Sequence, residues 1–249
     1  FWHDKRVLVT GGQGFVGKSV VNQLIKRRCG SVMAPEKARY NLTKEDYVKR
    51  LFEKLRPNIV IHLAGKVGGI NVNKAFPGSF YYNNMMIGTL VMEYARRSGV
   101  EKFVGLAAGC GYPEGLEPPY KESDFFKGFP DLNSYGYSMA KKSLIVQSMA
   151  YRQQYGFDSS IMLPANLYGP HDNFDLETSH VVPALIRKFV EAEREGHDEV
   201  VVWGSGEASR EFLYVEDAAY AILEMAEKGT ETGPFNLGTG REHTIVELI

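Results

Sequence analysis

Lys5-Arg6-Val7-Leu8-Val9-Thr10-Gly11-Gly12-Gln13-Gly14-Phe15-Val16-Gly17 begins as a β-branched apolar run and ends in glycines. A short run of this kind, bounded by glycine, reads as a buried strand. Beyond it, Val16, Val20, Val21, Leu24 and Ile25 fall at helical spacing, which predicts a helix over residues 15–28. A strand, a glycine turn and a helix in that order make an anion site. Gly11 permits the tight turn, Gly14 lets backbone approach a pyrophosphate, and Gly17 lets the helix lie close to the sheet. The helix start presents free N–H groups and the positive end of its dipole. Gln13, Phe15 and Val16 belong to the same expected cradle. A bare glycine triplet is a weak signal; its place between strand and helix makes dinucleotide binding the reading.

Working outward, strands are predicted over residues 31–34, 59–64, 102–107 and 159–163. Helices are predicted over 43–55, 80–98 and 134–154, with Thr43 capping the first of these. Strands alternating with helices imply right-handed crossovers and an α/β fold, a doubly wound parallel sheet of Rossmann type. After residue 165 the alternation loosens. A loop over 166–178, a helix over 181–194 and a strand over 199–203 predict a smaller C-terminal substrate lobe. The expected division is residues 1–165 for the dinucleotide and 166–249 for the substrate, partly interleaved. The chain stops inside an apparent amphipathic helix at 244–249, so the lobe is expected to be incomplete.

The 249 residues are 44% hydrophobic and 24% charged, ordinary for a globular protein, and the net charge of -1 carries no footprint of nucleic-acid or membrane binding. No apolar run approaches the roughly 18 residues that span a bilayer. The start, Phe1-Trp2-His3-Asp4, does not read as a signal peptide. Two cysteines, Cys29 and Cys110, make no disulfide framework, which fits a reducing, cytoplasmic setting. No metal-ligand cluster is expected.

The second predicted strand is followed by Glu36, Lys37 and Arg39. Lys37 and Arg39 suit a 2′-phosphate and favour NADP; Glu36 argues for NAD, which stays as the alternative. Within the helix predicted over 134–154, Tyr137 and Lys141 lie four residues apart and share a face. A free phenol, with a pKa of roughly 10, is a poor acid–base group at neutral pH. A neighbouring ammonium is expected to lower it. Such a pair is common alone; coupled to the glycine turn it becomes specific for proton transfer beside a nicotinamide.

With these two motifs on one chain, the sequence resembles the extended short-chain dehydrogenase/reductases. Within them it resembles the GDP-L-fucose synthase family of epimerase–reductases. Longer strings carry the narrower likeness: Ala64-Gly65-Lys66-Val67-Gly68-Gly69-Ile70, Cys110-Gly111-Tyr112-Pro113, Asn166-Leu167-Tyr168-Gly169-Pro170-His171-Asp172-Asn173-Phe174, Ser179-His180-Val181-Val182-Pro183 and Arg210-Glu211-Phe212-Leu213.

The resemblance implies one site with two tasks: inversion at carbons 3 and 5 of a GDP-linked 4-keto-6-deoxy sugar, then reduction at carbon 4 with hydride from NADPH. The ketone acidifies the protons on both neighbouring carbons. Cys110 and His180 match the family's acid–base pair, and both residue types exchange protons efficiently near neutrality. Tyr137 would protonate the oxygen at carbon 4, and Lys141 would hold the nicotinamide ribose. The cofactor is implied to lie against Leu63, Ala64, Gly65, Lys141, Pro164, Asn166, Leu167 and His180. The GDP-sugar is implied to lie against Asn166, Val181, Lys188, Trp203 and Arg210. A homodimer is implied through the helices predicted over 80–98 and 134–154.

Two departures stand out. Family members carry a serine or threonine two residues before the cysteine, where this chain has Ala108; Ser79, Ser134 or a water could replace it. Lys188 stands where an arginine is frequent and loses the bidentate fork. Ala108 motivates two alternatives: a redox-neutral epimerase or dehydratase on another sugar, or a catalytically weak dinucleotide-binding protein.

Overall fold

The computed structural model describes residues 1–249 except Glu177 and Trp203. The chain begins with β1 (Arg6–Thr10), α1 (Phe15–Lys26), β2 (Ser31–Met33), α2 (Glu45–Leu55), β3 (Ile59–His62), α3 (Ile70–Ala75) and α4 (Pro77–Arg97). It continues with β4 (Lys102–Leu106), α5 (Tyr135–Tyr155), β5 (Ser159–Pro164), β6 (Asn166–Tyr168), α6 (Val181–Glu195) and β7 (Ser209–Tyr214). It ends with α7 (Val215–Lys228), β8 (Phe235–Leu237), β9 (Glu242–Thr244) and α8 (Ile245–Leu248).

Six strands form a parallel sheet in the order β2-β1-β3-β4-β5-β8. The inner strands β1, β3, β4 and β5 are buried on both sides, and alternation across the pleat sends successive side chains into opposite cores. Val7 and Val9 enter a core with Val20 and Leu24 of α1 and with Ile222 and Leu223 of α7. Leu8, between them, enters the opposite core with Phe52 of α2, Met92 of α4 and Ile145 of α5. The chain runs from β1 outward to β2, then returns to β3 on the other side of β1. That reversal opens a crevice at the strands' C-terminal ends, where ligands bind in open sheets of this kind.

A second sheet has the order β6-β7-β9, with β6 and β7 parallel and β9 antiparallel to β7. This small sheet follows β5 in the chain, with α6 lying between β6 and β7 in sequence; the two are called the outer unit below. The chain then goes back: α7 packs against α1, and β8 pairs with β5 in the first sheet.

Several sequence expectations change. The stretch expected as a loop over 166–178 contains β6, ordered by its ladder to β7. The strand expected over 199–203 is not formed in described residues 199–202. Val201 is 76% exposed there; β-branched residues make a strand only where a neighbour strand and a packing face are available. The expectation at Trp203 lies outside the described residues. Thr43 does not cap α2. Its hydroxyl donates to Asn41 Oδ1 at 2.8 Å, a local turn that competes with the cap, and Lys44 takes the capping position.

Candidate active site

The glycine turn follows β1 and starts α1. Gly11 has φ +72°, and a Cβ there would meet the Ala64 nitrogen at 2.8 Å. A Cβ on Gly17 would come 2.1 Å from the Gly11 carbonyl, so only glycine lets the first helical turn sit on the loop. Gly12 is equally constrained, 2.6 Å from the Ala34 methyl, although the sequence reading gave it no role. Gly14 is the N-cap of α1, and among the described residues no side chain caps the first-turn N–H groups. A Cβ at Gly14 would meet only the Gly11 carbonyl, at 3.2 Å, so the space over the turn stays open. Backbone donors beneath an open space that side chains would fill fit a pyrophosphate. Phe15 and Val16 are half-buried, while Gln13 is exposed and donates to the Ala34 carbonyl at 3.2 Å. Lys37 and Arg39 are exposed just beyond β2, where Arg39 pairs with Glu36 at 3.6 Å.

The loop after β3 forms the next wall. Thr10 Oγ1 accepts from the Ala64 N–H at 3.3 Å and shares a 2.8 Å hydrogen bond with His62 Nδ1. Burial, and after it the charge of Lys141, hold His62 down at about 3, so it is neutral. Asn84 of α4 ties the loop down: its Oδ1 accepts from the Lys66 N–H at 3.0 Å, and its Nδ2 donates to the carbonyls of Lys66 and Phe80. A Cβ on Gly65 would meet Asn84 Oδ1 at 2.8 Å and Lys141 Nζ at 3.5 Å. The Leu63–Gly65 backbone and Lys141 are therefore neighbours. Thr10 and Asn84 hold this loop; Asn84 lies in the stretch Asn84-Met85-Met86-Ile87, which also resembles the family, but its spacing assigned neither residue a role.

Lys141 is buried on α5 and donates to the Leu106 carbonyl, at the end of β4, at 2.9 Å. Burial lowers its pKa to about 8. Its Nζ lies 5.8 Å from the centre of the Tyr137 ring, which also meets Phe80 edge-on at 6.3 Å. The Tyr137 hydroxyl is not lowered as the sequence predicts. Burial pushes it well above the ordinary phenol value, and the Cys110 charge adds to that. Removal of water sets the direction, which leaves Tyr137 a neutral phenol that can donate a proton.

Cys110 follows β4 in the short 3-10 turn Gly109–Gly111. The Ser138 hydroxyl reaches its carbonyl at 3.0 Å and its Sγ at 3.2 Å. Loss of solvent raises the thiol's pKa, while the Ser138 and Ser134 hydroxyls and the Lys141 charge oppose that rise. Water still reaches Cys110, which is exposed as a residue, and this softens the desolvation. Pro164 adjoins this turn: a Cβ on Gly109 would lie 3.6 Å from its carbonyl. Ser79, considered as a substitute for the hydroxyl missing at Ala108, is engaged elsewhere, accepting from Lys66 Nζ at 2.6 Å.

The remaining expected residues sit on the second unit. Asn166 and Leu167 start β6; Asn166 is exposed and donates to the Glu211 carbonyl at 2.9 Å, while Leu167 packs on the core. His180 is the exposed N-cap of α6, and Val181 is its first residue. A Cβ on Gly69 would lie 3.8 and 3.9 Å from the carbonyls of Thr178 and Ser179, so this segment closes against the loop after β3. Asp172 is raised by burial, with the His180 charge pulling it back. Lys188 Nζ donates to the Val201 carbonyl at 2.9 Å, and Arg210 is exposed on β7 with Nη1 donating to the Ser209 carbonyl. Thus Tyr137, Lys141 and Cys110 gather near the end of β4, with the loop after β3 against Lys141, whereas Lys188 and Arg210 lie on separate elements of the outer unit. Among the described residues no group of three or more potential ligands could hold a metal ion, and no helix is long and apolar enough to cross a membrane.

A parallel sheet with a glycine turn at its reversal point and a Tyr–Lys pair on the helix after β4 defines a dinucleotide-dependent enzyme of the extended short-chain type. Residues 7–238 match the NAD dependent epimerase/dehydratase family, and the chain belongs to it. It is 39% identical over 244 residues to the GDP-L-fucose synthase of Sinorhizobium fredii, a match covering 98% of this chain and 77% of that protein. It is 38% identical over 253 residues to the GDP-L-fucose synthase of Escherichia coli K12, covering 98% and 79%. A solved GDP-L-fucose synthetase from Naegleria fowleri bound to NADP superposes with a TM-score of 0.91 at 31% identity, over 100% of this chain and 77% of that one.

Proposed function

We infer that the protein is an NADPH-dependent epimerase–reductase that inverts carbons 3 and 5 of a GDP-linked 4-keto-6-deoxy sugar and reduces carbon 4, giving a GDP-L-fucose-type product. The observation that carries this reading is the convergence of Tyr137, Lys141 and Cys110 at the end of β4, beside the glycine turn. The identity to GDP-L-fucose synthases along nearly the whole chain supports the sugar class.

The first-turn N–H groups of α1 and the glycine turn hold the diphosphate, and the Leu63–Gly65 backbone, Pro164, Asn166 and Leu167 line the nicotinamide half. Lys37 and Arg39 favour the 2′-phosphate of NADP. The bound nicotinamide supplies hydride. Lys141 binds the ribose and keeps a positive charge beside the reacting oxygen. Cys110 and His180 exchange protons with the two carbons flanking the ketone, one removing and the other returning. Tyr137, half-buried and held neutral by loss of water around its hydroxyl, donates its proton to the oxygen at carbon 4. Asn166, Val181, Lys188, Trp203 and Arg210 serve the GDP-sugar, with Arg210 exposed to meet a diphosphate. Residues 1–165 form the dinucleotide part and 166–249 the substrate part, with α7 and β8 returned to the first sheet. The outward faces of α4 and α5 carry exposed Tyr81, Tyr82, Val146 and Met149, which suit a homodimer contact; sedimentation checks it. The free thiol of Cys110 suits a reducing cytoplasm.

Mixing the protein with GDP-4-keto-6-deoxymannose and NADPH tests the reaction. Stoichiometric loss of the reduced-nicotinamide absorbance supports it. Ala108 favours a second, redox-neutral reading, for which deuterium enters carbons 3 and 5 without NADPH oxidation. Cofactor binding with neither signal leaves a non-catalytic protein.

A further inference from the structure

Ser138 follows Tyr137 directly, yet it faces a different partner. It is completely buried, and its hydroxyl lies between two atoms of one residue, the Cys110 carbonyl at 3.0 Å and the Cys110 Sγ at 3.2 Å. A second hydroxyl, Ser134 Oγ, stands 3.2 Å from Ser138 Oγ, one turn earlier at the start of α5. A serine needed only to pin the turn after β4 to the helix would be satisfied by the carbonyl. Contact with the sulfur and a second hydroxyl behind it go beyond that need.

We propose that Ser138, backed by Ser134, is a positioning residue that holds the Cys110 sulfur in place for proton exchange and stabilises its thiolate. The cysteine's task is taken from the reading above, while the geometry stands without it. When the thiol is neutral, Sγ–H donates to Ser138 Oγ, whose own proton goes to the Cys110 carbonyl. When the thiol has given up its proton, the Ser138 hydroxyl turns its hydrogen to the sulfur, and Ser134 donates to Ser138 Oγ. No proton leaves the pair of serines; two O–H bonds reorient, and each step polarises the next. The sulfur thus alternates between acid and base without changing rotamer.

The titratable neighbours of the thiol are Lys141 and Tyr137, both on α5. From β3, His62 faces Lys141 and stays neutral. Lys141 is common to all the variants below, so a difference among them reports the hydroxyls.

The test is the rate of Cys110 alkylation by iodoacetamide as a function of pH, read at that residue by peptide mass spectrometry. Ser138→Ala is expected to move the midpoint upward by about one pH unit, the scale of one hydrogen bond to an ionised group. It should also slow deuterium wash-in about tenfold, the same one-unit shift expressed as a rate, while NADPH affinity stays at the wild-type value. A midpoint that does not move in a variant that still binds NADPH overturns the proposal. If Ser138→Ala does not fold, Ser134→Ala reads the same device, with a smaller upward shift expected and an unchanged profile overturning it. Alkylation needs no sugar. Failure of the unaltered protein to turn over GDP-4-keto-6-deoxymannose would sink the reaction proposed above, and the alkylation profile would still decide this inference.

Discussion

The edge formed by the C-terminal ends of the central strands β3 and β4 and the outer unit handle polar groups in opposite ways. At the edge, Lys141, His62 and Asn84 are buried, and each is answered by a specific partner: a strand-end carbonyl, a threonine hydroxyl or the next loop's backbone. Burial shifts the two that ionise, Lys141 to about 8 and His62 to about 3. On the outer unit, Arg210, Asn166 and His180 are exposed, held by backbone contacts or at a helix start. A charge in a dry site tunes proton transfer. A charge in a wet one attracts its ligand and is screened by salt. The proposed function divides the labour along this contrast: Tyr137, Lys141 and Cys110 at the edge carry the chemical step, joined by His180 from the outer unit, and the exposed Arg210 serves affinity for the GDP-sugar.

If that division holds, Tyr137→Phe should lower kcat by roughly 10²–10⁴ and leave NADPH affinity nearly unchanged, as stopped-flow reduction and fluorescence titration would report. Equal losses in both would break the contrast. Gly17→Ala should weaken NADPH binding by about a hundredfold, near 3 kcal/mol, because its Cβ has backbone 2.1 Å away and no room to yield. Calorimetric titration measures it.

The pH profile sharpens the comparison further. Lys141 loses its charge as pH rises through about 8, so kcat/KM should fall above that point. The sign for stability is opposite. The unfolded lysine stays protonated up to about 10.4, so between about 8 and that value the unfolded chain binds more protons, and this residue's contribution to stability rises with pH. Urea titrations of the protein and of Lys141→Met, compared at several pH values, would show this opposition.

On the outer unit, Arg210→Ala should raise the KM for the GDP-sugar by about tenfold, with the effect shrinking as salt is added, and leave kcat almost unaltered. A fall in kcat would move Arg210 to the chemical half. The smallest change is expected from Ala108→Ser, a few-fold gain in reduction rate set against the roughly 10²–10³ that one oxyanion donor can supply elsewhere. A flat response means that the donor is already replaced.

Much of the edge could be read along the chain. The glycine turn is a local pattern between a strand and a helix, and Tyr137 with Lys141 is a spacing on one helix face. The returning segment was harder. α7 starts at Val215 directly after β7, with no glycine or proline between, so no punctuation marks it. The run Val200-Val201-Val202 has the composition of a strand but pairs with no strand among the described residues, while β6 has three residues and exists through β7. Ser138 and Cys110 are 28 residues apart, and they meet because α5 docks under the end of β4. The rise in the Tyr137 pKa likewise depends on what covers the ring rather than on its neighbours in sequence.

The amino-acid order by itself determined the parallel sheet, the phosphate turn and the face shared by Tyr137 and Lys141, because each follows from spacing over a few residues. Only the folded chain decided which hydroxyls reach Cys110, which side chains lose water and in which direction their protons are held. Those properties are set by distances between segments remote in sequence and by solvent removed when they pack, and no local pattern encodes either.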